Sequence, residues 1–345
     1  MKKGFKITKA VEVTEALIDY RDTYNEKGKY LGFENLNDLY TMQLGTCTDW
    51  TGFPRSGKTQ VLMELLLNTS LYYGWKHLIY FPDVGSNVEI IADLLHKKTA
   101  KCFNPKYKNV ISDQDIYRET EWLLEHFKVL TKADVKAKLT PFEFYDMAAS
   151  MKHEIQTASI DSWKDMSHPY NEYGGYAMYL EAVLPYRNQT AEDNNLHIHT
   201  VIHPKLTEKE NGKRKAPTPY DLKGGSEWFN SGKCMITVHR ESTETTNADI
   251  SVHKVKPRSC GNVGFTSLQF DVEKLVYFTT EQTQNGNVKR YATERSKPAK
   301  VEKIEPPKQL TPNKDFDINN RIEPKGKIED WEEPGLDIWE EKQIK

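Results

Sequence analysis

The sequence predicts an α/β fold in which a mostly parallel sheet is covered by helices on both faces. Two observations support this prediction. Strand-like and helix-like segments alternate between about residues 32 and 280, which is typical of parallel strands joined by helical crossovers. In addition, a glycine-rich turn at residues 52–59 joins the first of these strands to the first long helix.

The first strand–helix–strand unit surrounds this turn. The segment GTCTDWTG predicts a strand, TQVLMELLLNTSLYYG a helix that ends at Gly74, and WKHLIYFPD the next strand. Further helices are predicted at VEIIADLLHKKT, at DIYRETEWLLEHF and at PFEFYDMAASMKHE, where Pro141 occupies the first turn. Further strands are predicted at TASID, LHIHTVIH, KCMITVHR and DISVHKVK.

Composition divides the chain into three parts. Residues 1–30 hold one short helical pattern and are predicted to form an N-terminal linker or docking arm. Residues 31–290 are predicted to form the α/β domain. Residues 291–345 are charged and rich in proline, which predicts a disordered tail. Within the tail, Trp331 and Trp339 stand among acidic residues, a pattern that a partner could bind, and a solvated tail without a partner is the alternative.

Composition also excludes several classes of protein. With 48 Lys+Arg against 50 Asp+Glu, no overall positive charge indicates nucleic acid, so any contact with a polyanion must be local. The four cysteines lie far apart, which argues against a zinc knuckle, a thioredoxin-like motif or a secreted disulfide scaffold. No apolar run approaches the roughly 18 residues of a membrane span, and the N-terminus lacks an apolar signal region. We therefore expect a cytoplasmic protein without membrane contact.

The turn GFPRSGKT at residues 52–59 predicts a nucleotide-binding loop. Its glycines let backbone N–H groups converge on phosphate oxygens, and the helix that follows adds partial positive charge. We expect Lys58 to reach the β- and γ-phosphates of ATP and Thr59 to coordinate Mg²⁺. The residues of this loop predicted to bind ATP are Gly52, Pro54, Arg55, Ser56, Gly57, Lys58, Thr59 and Gln60.

Nucleotide hydrolysis also needs one carboxylate near the metal and one that orients water. Asp83 and Asp161 each end a predicted strand, although a strand-end Asp is more often a cap or turn residue. His203 ends another strand, where it is well placed to sense a γ-phosphate. Alternation puts His197 and His199 on the same face, but one continuous strand spreads the three rings over roughly 20 Å. We therefore expect paired or half-exposed histidines there rather than a metal site.

Two further features are basic. In SVHKVKPR, alternation sends Lys254 and Lys256 to one face, together with Arg258 if the strand survives Pro257. An exposed basic edge strand is the alternative interpretation. The other feature is a loop near residues 206–220, for which a solvated loop is the alternative, and its basic residues are Lys209, Lys213, Arg214 and Lys215.

The motifs occur in a recognisable order: GFPRSGKT, YFPD, IDSWKDM, IHPK, PTPYDLKGGS, TVHR, and KVKPR followed by GNVG. This series resembles the DnaB-like and Twinkle-like replicative helicase domain, a RecA-like P-loop fold, over about residues 31–280. The likeness is greatest to phage and mitochondrial-type members, in IHPK and YDL-x-GGS. The resemblance implies a ring-shaped ATPase, a hexamer that moves along single-stranded DNA with ATP and Mg²⁺ between subunits. It would work in the host cytoplasm if a phage encodes it.

The resemblance also implies roles for individual residues. Asp161 would be the metal carboxylate, Asp83 would occupy the water-activating position and His203 would sense the γ-phosphate. Arg240 would stack on the base of ATP. Lys254 and Lys256 would form the basic pair that reaches the neighbouring subunit's site. The loop 206–220 and the stretch 165–176 would contact DNA, and the predicted DNA-binding residues are Lys209, Lys213, Arg214, Lys215 and Lys223.

Three departures from the family affect these expectations. The family usually has Glu at the position of Asp83, and one methylene less can cost about 10²-fold, so we expect slow hydrolysis. The outer member of the basic pair is usually Arg, and because Lys256 lacks the planar fork, Arg258 is the alternative trans-acting finger. No primase or zinc-binding segment precedes the helicase-like part, so we expect a separate primase or polymerase as a partner, docked through the tail.

Two alternative functions remain open at this point. One is a RecA-like DNA-binding ATPase that acts as a recombination mediator. The other is a structural component of a replication complex or virion that hydrolyses ATP slowly or not at all. Unwinding of a forked duplex separates the first alternative from a helicase, and DNA-stimulated hydrolysis separates the second.

Overall fold

One ten-stranded sheet organises the residues that the computed structural model describes, which are 8–22, 28–106, 109–132, 137–205, 214–242, 244–284 and 286–292. Its strands are β1 Thr46–Thr51, β2 His77–Tyr80, β3 Phe127–Val129, β4 Thr157–Asp161, β5 His197–Ile202, β6 Cys234–His239, β7 Asn247–Lys254, β8 Gly264–Asp271, β9 Val276–Thr283 and β10 Gly286–Tyr291. The α-helices are α1 Ala10–Asp22, α2 Glu34–Asn37, α3 Lys58–Tyr73, α4 Asn87–Thr99, α5 Asp113–His126, α6 Pro141–Ser150, α7 Tyr176–Asp193 and α8 Gly225–Ser231.

The strand order is β10-β9-β8-β7-β6-β1-β5-β4-β2-β3. Neighbouring strands from β6 to β3 are parallel, whereas β6 to β10 pair antiparallel. The predicted mostly parallel sheet is therefore confirmed. The sequence patterns do not predict the extension formed by β8, β9 and β10, because its strands are largely exposed and lack a clean apolar alternation.

Two predicted boundaries are wrong by a few residues. The helix predicted to run through Phe127 ends at His126, and β3 begins immediately after it. A three-residue edge strand is too short for its periodicity to be detected. At the other boundary, β10 runs to Tyr291, so Arg290, from where the tail is predicted, belongs to the sheet. Residues 293–345, which include Trp331 and Trp339, lie outside the described residues.

Two apolar clusters lie on opposite faces of the sheet, which confirms the prediction of helices on both faces. Alternation along β2 shows the division: Leu78 and Tyr80 face a cluster that includes α6 and α7, and Ile79 faces a cluster that includes α3 and α4. All four cysteines are buried and unpaired. No helix within the described ranges is long and apolar enough to cross a bilayer.

Three histidines lie inside this core. His77 hydrogen-bonds through Nδ1 with Thr157 at 2.7 Å, and His197 through Nε2 with Thr48 at 2.8 Å. His199 Nδ1 accepts from the indole N–H of Trp50 at 3.2 Å. Burial lowers the pKa of His77 to about 3, that of His197 to about 4 and that of His199 far below its usual value. The expectation of half-exposed side chains at His197 and His199 is therefore wrong, because β4 and β1 cover β5 on both sides.

Candidate active site

The glycine-rich turn lies between β1 and α3, at the carboxyl edge of the parallel strands. Gly52 follows β1, and a Cβ there would lie 2.1 Å from the carbonyl oxygen of Val238. Gly57 precedes α3 with φ +94°, in the left-handed region that favours glycine. Pro54 and Arg55 are exposed at the tip of the turn. The turn thus brings bare backbone to the N-terminus of a 16-residue helix, as phosphate binding requires.

Lys58 is buried beneath this turn. Its Nζ donates to the carbonyl of Phe53 at 3.0 Å. Burial lowers the pKa of Lys58 to about 8, and the carboxylates of Asp161 and Asp83 oppose that shift in part. The hydroxyl of Ser56 is buried without a hydrogen-bond partner among the described residues. An unsatisfied donor beside a buried ammonium is the arrangement that a phosphate oxygen would satisfy, so these residues fit ATP.

Thr59 and Asp161 meet at the candidate metal site. The Thr59 hydroxyl donates to Asp161 Oδ2 at 2.5 Å, across from the end of β4. Burial raises the pKa of Asp161 to about 6, against the opposing effects of the Thr59 hydrogen bond and the Lys58 charge. One hydroxyl and one carboxylate fit Mg²⁺, which prefers oxygen ligands and keeps several waters. In the described part of the chain, no group of three or more His, Cys, Asp or Glu could hold a metal by itself. The remaining ligands would have to be phosphates and water.

Asp83 lies beside Asp161, three residues beyond β2. Its Oδ1 accepts from Lys164 Nζ at 3.2 Å, and its Oδ2 lies 3.4 Å from His203 Nε2. Partial burial raises the pKa of Asp83, but the hydrogen bond and charge of Lys164 and the nearby His203 outweigh it, so the pKa lies below its usual value. The carboxylate is therefore ionised and has a cation or an imidazole at each oxygen.

His203 follows β5 and points into the same cluster. Burial, together with the charges of Lys58 and Lys164, lowers its pKa, while Asp83 opposes the shift. Its Nε2 has no aligned hydrogen-bond partner in the described residues, although Asp83 is close. A buried imidazole nitrogen left open next to Lys58 is placed to respond to a phosphate group.

A small cavity continues from the turn toward β7 and β9. Arg240, at the end of β6, lines it together with Gln60, and the other lining residues are Ser56, Gly57, Thr246, Asn247, Ala248, Phe270 and Tyr277. Arg240 Nε donates to the carbonyl of Thr245 at 2.5 Å, which holds the guanidinium against the cavity wall. Gln60 donates to Asp93 at 2.7 Å. A basic side chain beside aromatic rings fits the base of a nucleotide.

The predicted basic pair is arranged differently from the expectation. β7 ends at Lys254, and Arg258 begins a short 3-10 helix, so the three basic residues do not share a strand face. Pro257 has no N–H to continue the ladder, which is the physical reason. Lys254 Nζ donates to the carbonyls of Phe229 and Asn230 at the C-terminus of α8. Lys256 and Arg258 are exposed.

These basic residues lie far from the glycine-rich turn of their own chain. Because β7 is antiparallel to β6, it starts at the carboxyl edge of the sheet and runs to the opposite edge. Ser259 and Cys260, which follow Arg258, contact Gln43, and Gln43 precedes β1. The whole length of β1 therefore separates Arg258 from Gly52, about 20 Å at roughly 3.3 Å per residue.

The predicted DNA-binding residues are only partly described. Lys209 and Lys213 lie outside the described residues. The guanidinium of Arg214 lies over the ring of Phe53, 5.3 Å from its centroid, and so contacts the glycine-rich turn. Lys223 Nζ lies 4.4 Å from the ring centroid of Tyr176 and 5.7 Å from that of Tyr170. Lys215 is exposed.

No protein-family model matches the sequence. The chain is 23% identical over 274 residues, 72% of its length, to the Twinkle homolog protein, chloroplastic/mitochondrial, of Arabidopsis thaliana. That match spans 36% of the Arabidopsis protein. The solved ATPase domain of a phage helicase superposes with a TM-score of 0.61 at 14% identity, over 79% of this chain and 99% of that domain. A DnaB-like replicative helicase, solved with its interactions with primase, gives a TM-score of 0.59 at 12% identity over 79% and 67% of the two chains.

The chain resembles a DnaB/Twinkle-like helicase domain and has the RecA-like fold. This confirms the resemblance that the ordered motifs predict. Within the DnaB/Twinkle-like domain, the structure brings together the predicted Lys58, Thr59, Asp83, Asp161 and His203. Their catalytic roles stay predictions.

Sequence reasoning missed one member of this cluster, Lys164. Its hydrogen bond to Asp83 joins residues 81 positions apart in the chain. The available signal was its place in IDSWKDM, three residues after Asp161. The RecA-like sheet order puts β4 next to β2, and this neighbourhood brings Lys164 to Asp83.

Proposed function

We propose that the chain is an ATP-dependent, ring-shaped replicative DNA helicase that translocates on single-stranded DNA. The observation that carries the proposal is the division of the candidate ATP site between the two edges of the sheet. Lys58, Thr59 and Asp161 lie at the carboxyl edge, whereas Lys256 and Arg258 lie at the amino edge. A cation at the amino edge cannot reach the ATP of its own chain. It can serve the ATP of a neighbouring chain when subunits pack edge to edge in a ring.

In the proposed site, each residue acts on the bound nucleotide through its charge and position. Mg²⁺, when bound, neutralises charge on the β- and γ-phosphates, and Thr59 and Asp161 would hold it. Lys58 supplies a further positive charge to those phosphates. Asp83 orients water and accepts its proton, and His203 reports the presence of the γ-phosphate. Arg258 or Lys256 of the adjacent subunit stabilises the charge that develops during transfer.

The N-terminal arm supports assembly with further copies of the chain. Every side chain described in α1 is exposed or half-buried, including Val11 at 85% and Ile18 at 47% exposure. These two residues are about two helical turns apart and so lie on the same side of the helix. An apolar helix face left in solvent is expected to pack on another protein surface. We propose that this surface belongs to the adjacent subunit of a hexamer.

Single-stranded DNA is the proposed substrate of the stretch 165–176 and of Lys223. There a lysine ammonium lies over two tyrosine rings, and cations combined with aromatic rings are typical of single-strand binding surfaces. The near-neutral net charge of the chain is compatible with this function, because only the channel lining has to be basic. We also propose a cytoplasmic location, supported by the unpaired cysteines, and a separate primase or polymerase as a partner of the tail.

The test is unwinding of a forked DNA duplex in the presence of ATP and Mg²⁺, together with native mass spectrometry of the assembly. We expect strand separation by a hexamer and none by the Lys58→Ala variant. Single-strand-stimulated hydrolysis without strand separation would contradict the helicase and favour the recombination mediator. A chain that binds ATP without any hydrolysis would favour the structural component.

A further inference from the structure

Lys164 is the cation that holds the candidate water-activating carboxylate. Its Nζ donates to Asp83 Oδ1 at 3.2 Å, while His203 faces the other oxygen at 3.4 Å. The Lys164 side chain is 54% exposed and that of Asp83 is 40% exposed. The pair is therefore accessible to solvent, and it can break without leaving a buried charge behind.

This ion pair opposes the proposed role of Asp83. To orient and deprotonate water, the carboxylate must present a free oxygen lone pair to it, and an ammonium hydrogen bond occupies Oδ1. Asp83 also has a shorter reach than the Glu expected from the resemblance, so it cannot satisfy Lys164 and a distant water at once. Turnover should therefore require the pair to open first.

The position of Lys164 in the chain connects this pair to the proposed DNA surface. Lys164 lies in the 3-10 helix Trp163–Asp165, directly before the stretch 165–176. Trp163 packs against His168 with 4.6 Å between ring centroids, and the His168 ring stacks on Tyr170 at 5.2 Å. Tyr170 in turn lies beneath Lys223. A shift of this aromatic group on contact with DNA would move Lys164, and the exposed half of the side chain is open to a DNA phosphate.

We propose that Lys164 is a positioning residue that restrains Asp83 until single-stranded DNA engages the stretch 165–176. The proposal rests on the proposed function and names its regulation: the restraint keeps hydrolysis low on the free protein and is released on DNA. His203 stays beside Asp83 after release, so the carboxylate keeps one fixed contact.

The test compares Lys164→Met with Lys164→Arg in the full-length chain. We expect Lys164→Met to raise DNA-free ATP turnover by about two-fold to five-fold, the range that a partly exposed ion pair can produce. Stimulation by single-stranded DNA should shrink by the same factor, because the pair is already open in the DNA-bound state. Lys164→Arg should restore low DNA-free turnover. The matched control is Lys76→Met, which removes an exposed pair with Glu125 at the amino end of β2 and should change neither quantity.

A binding measurement separates restraint from a direct contact with nucleotide. The ratio of affinities for a non-hydrolysable ATP analogue and ADP should be unchanged in Lys164→Met, measured by fluorescence without turnover. A fall in that ratio would identify Lys164 as a γ-phosphate ligand and overturn the restraint. Unchanged or reduced DNA-free turnover in Lys164→Met, with an active wild type, would also overturn it while leaving the helicase proposal intact. If the wild type is inactive, gain of hydrolysis in Lys164→Met supports the restraint, and inactivity of both overturns both proposals.

Discussion

At the scale of single residues, the candidate site combines standard parts with one substitution of chemical consequence. Lys58, Thr59 and Asp161 are close enough to act on one nucleotide, since Thr59 already donates to Asp161 and the charge of Asp161 acts on Lys58. Asp83 is the exception, because the resemblance places Glu at its position. The shorter side chain is held between Lys164 and His203, away from any free approach to water.

Asp83→Glu tests the cost of the missing methylene. We expect single-strand-stimulated turnover to rise, by up to about 10²-fold, because the longer side chain brings the carboxylate closer to the water-activating position. Asp83→Asn, which keeps the size and removes the charge, should abolish turnover while ADP still binds. Steady-state ATP hydrolysis measures both variants. A turnover in Asp83→Glu lower than that of the wild type would place water activation on another residue.

At the scale of elements, the direction of β7 decides which subunit its basic residues can serve. An antiparallel strand returns the chain to the amino edge, and Pro257 ends the strand ladder before Arg258. Lys254 is engaged with the last carbonyls of α8, where a cation is favourable next to the negative end of the helix dipole. Of the three basic residues, Lys256 and Arg258 are therefore better placed to act between subunits.

Mixing two inactive chains tests that inference. Arg258→Ala and Lys256→Ala should each bind ATP normally, and the variant that removes the finger should lose turnover by up to roughly 10³-fold. We expect Arg258 to be that residue, because Arg holds phosphate bidentately. Combined with a Lys58→Ala chain, the finger-less chain should recover activity at mixed interfaces, where an intact turn meets an intact finger. If no mixture recovers activity while native mass spectrometry confirms subunit exchange, the shared-site ring is refuted.

At the scale of the whole molecule, the sheet has a polar interior that ties stability to pH. His77, His197 and His199 are fully buried, and their pKa values lie far below the usual value of a histidine. The folded state therefore refuses protons that the unfolded chain accepts below about pH 6.5. Their contribution to stability is complete above that pH and is lost as the pH falls toward 4 to 3.

Urea unfolding between pH 7.5 and pH 5 measures this effect. The free energy of unfolding should fall on acidification with a slope of up to about 4 kcal/mol per pH unit from the three histidines together. His77→Gln should reduce that slope by about one third, since one proton fewer is taken up. His153→Gln, at an exposed position, is the matched control and should leave it unchanged. Equal slopes in the wild type and His77→Gln would show that His77 is protonated in the folded state.

The position of β10 predicts where the chain can be shortened. Tyr291 is buried against Phe278, and its hydroxyl donates to Asp271 at 2.6 Å. A chain that ends after Ala292 should keep the stability of the full-length protein, because the removed residues are too poor in apolar side chains to form a core. A chain that ends after Arg290 loses the Tyr291 side chain and should be less stable by about 3 kcal/mol, as for other buried aromatic truncations. Equal unfolding midpoints for the two truncations would contradict this boundary.

The amino-acid sequence by itself determined the local features of this protein. The spacing of Gly52, Gly57, Lys58 and Thr59 specifies a phosphate-binding turn at a helix start, because its hydrogen bonds and backbone angles lie within eight residues. The periods of apolar residues likewise predicted α3, α4 and the central strands to within a few positions. Both kinds of signal depend only on neighbours along the chain.

The tertiary structure decided the features that depend on which strands lie side by side. Lys164 meets Asp83 because β4 pairs with β2, and His197 and His199 are buried because β1 and β4 flank β5. The distance between Arg258 and the glycine-rich turn follows from the antiparallel direction of β7. Strand order and direction are set by the packing of whole elements around two apolar clusters, and apolar periodicity along one strand is the same whichever strand lies beside it. This is the physical reason that the sequence named most residues of the candidate site and missed the lysine that restrains it.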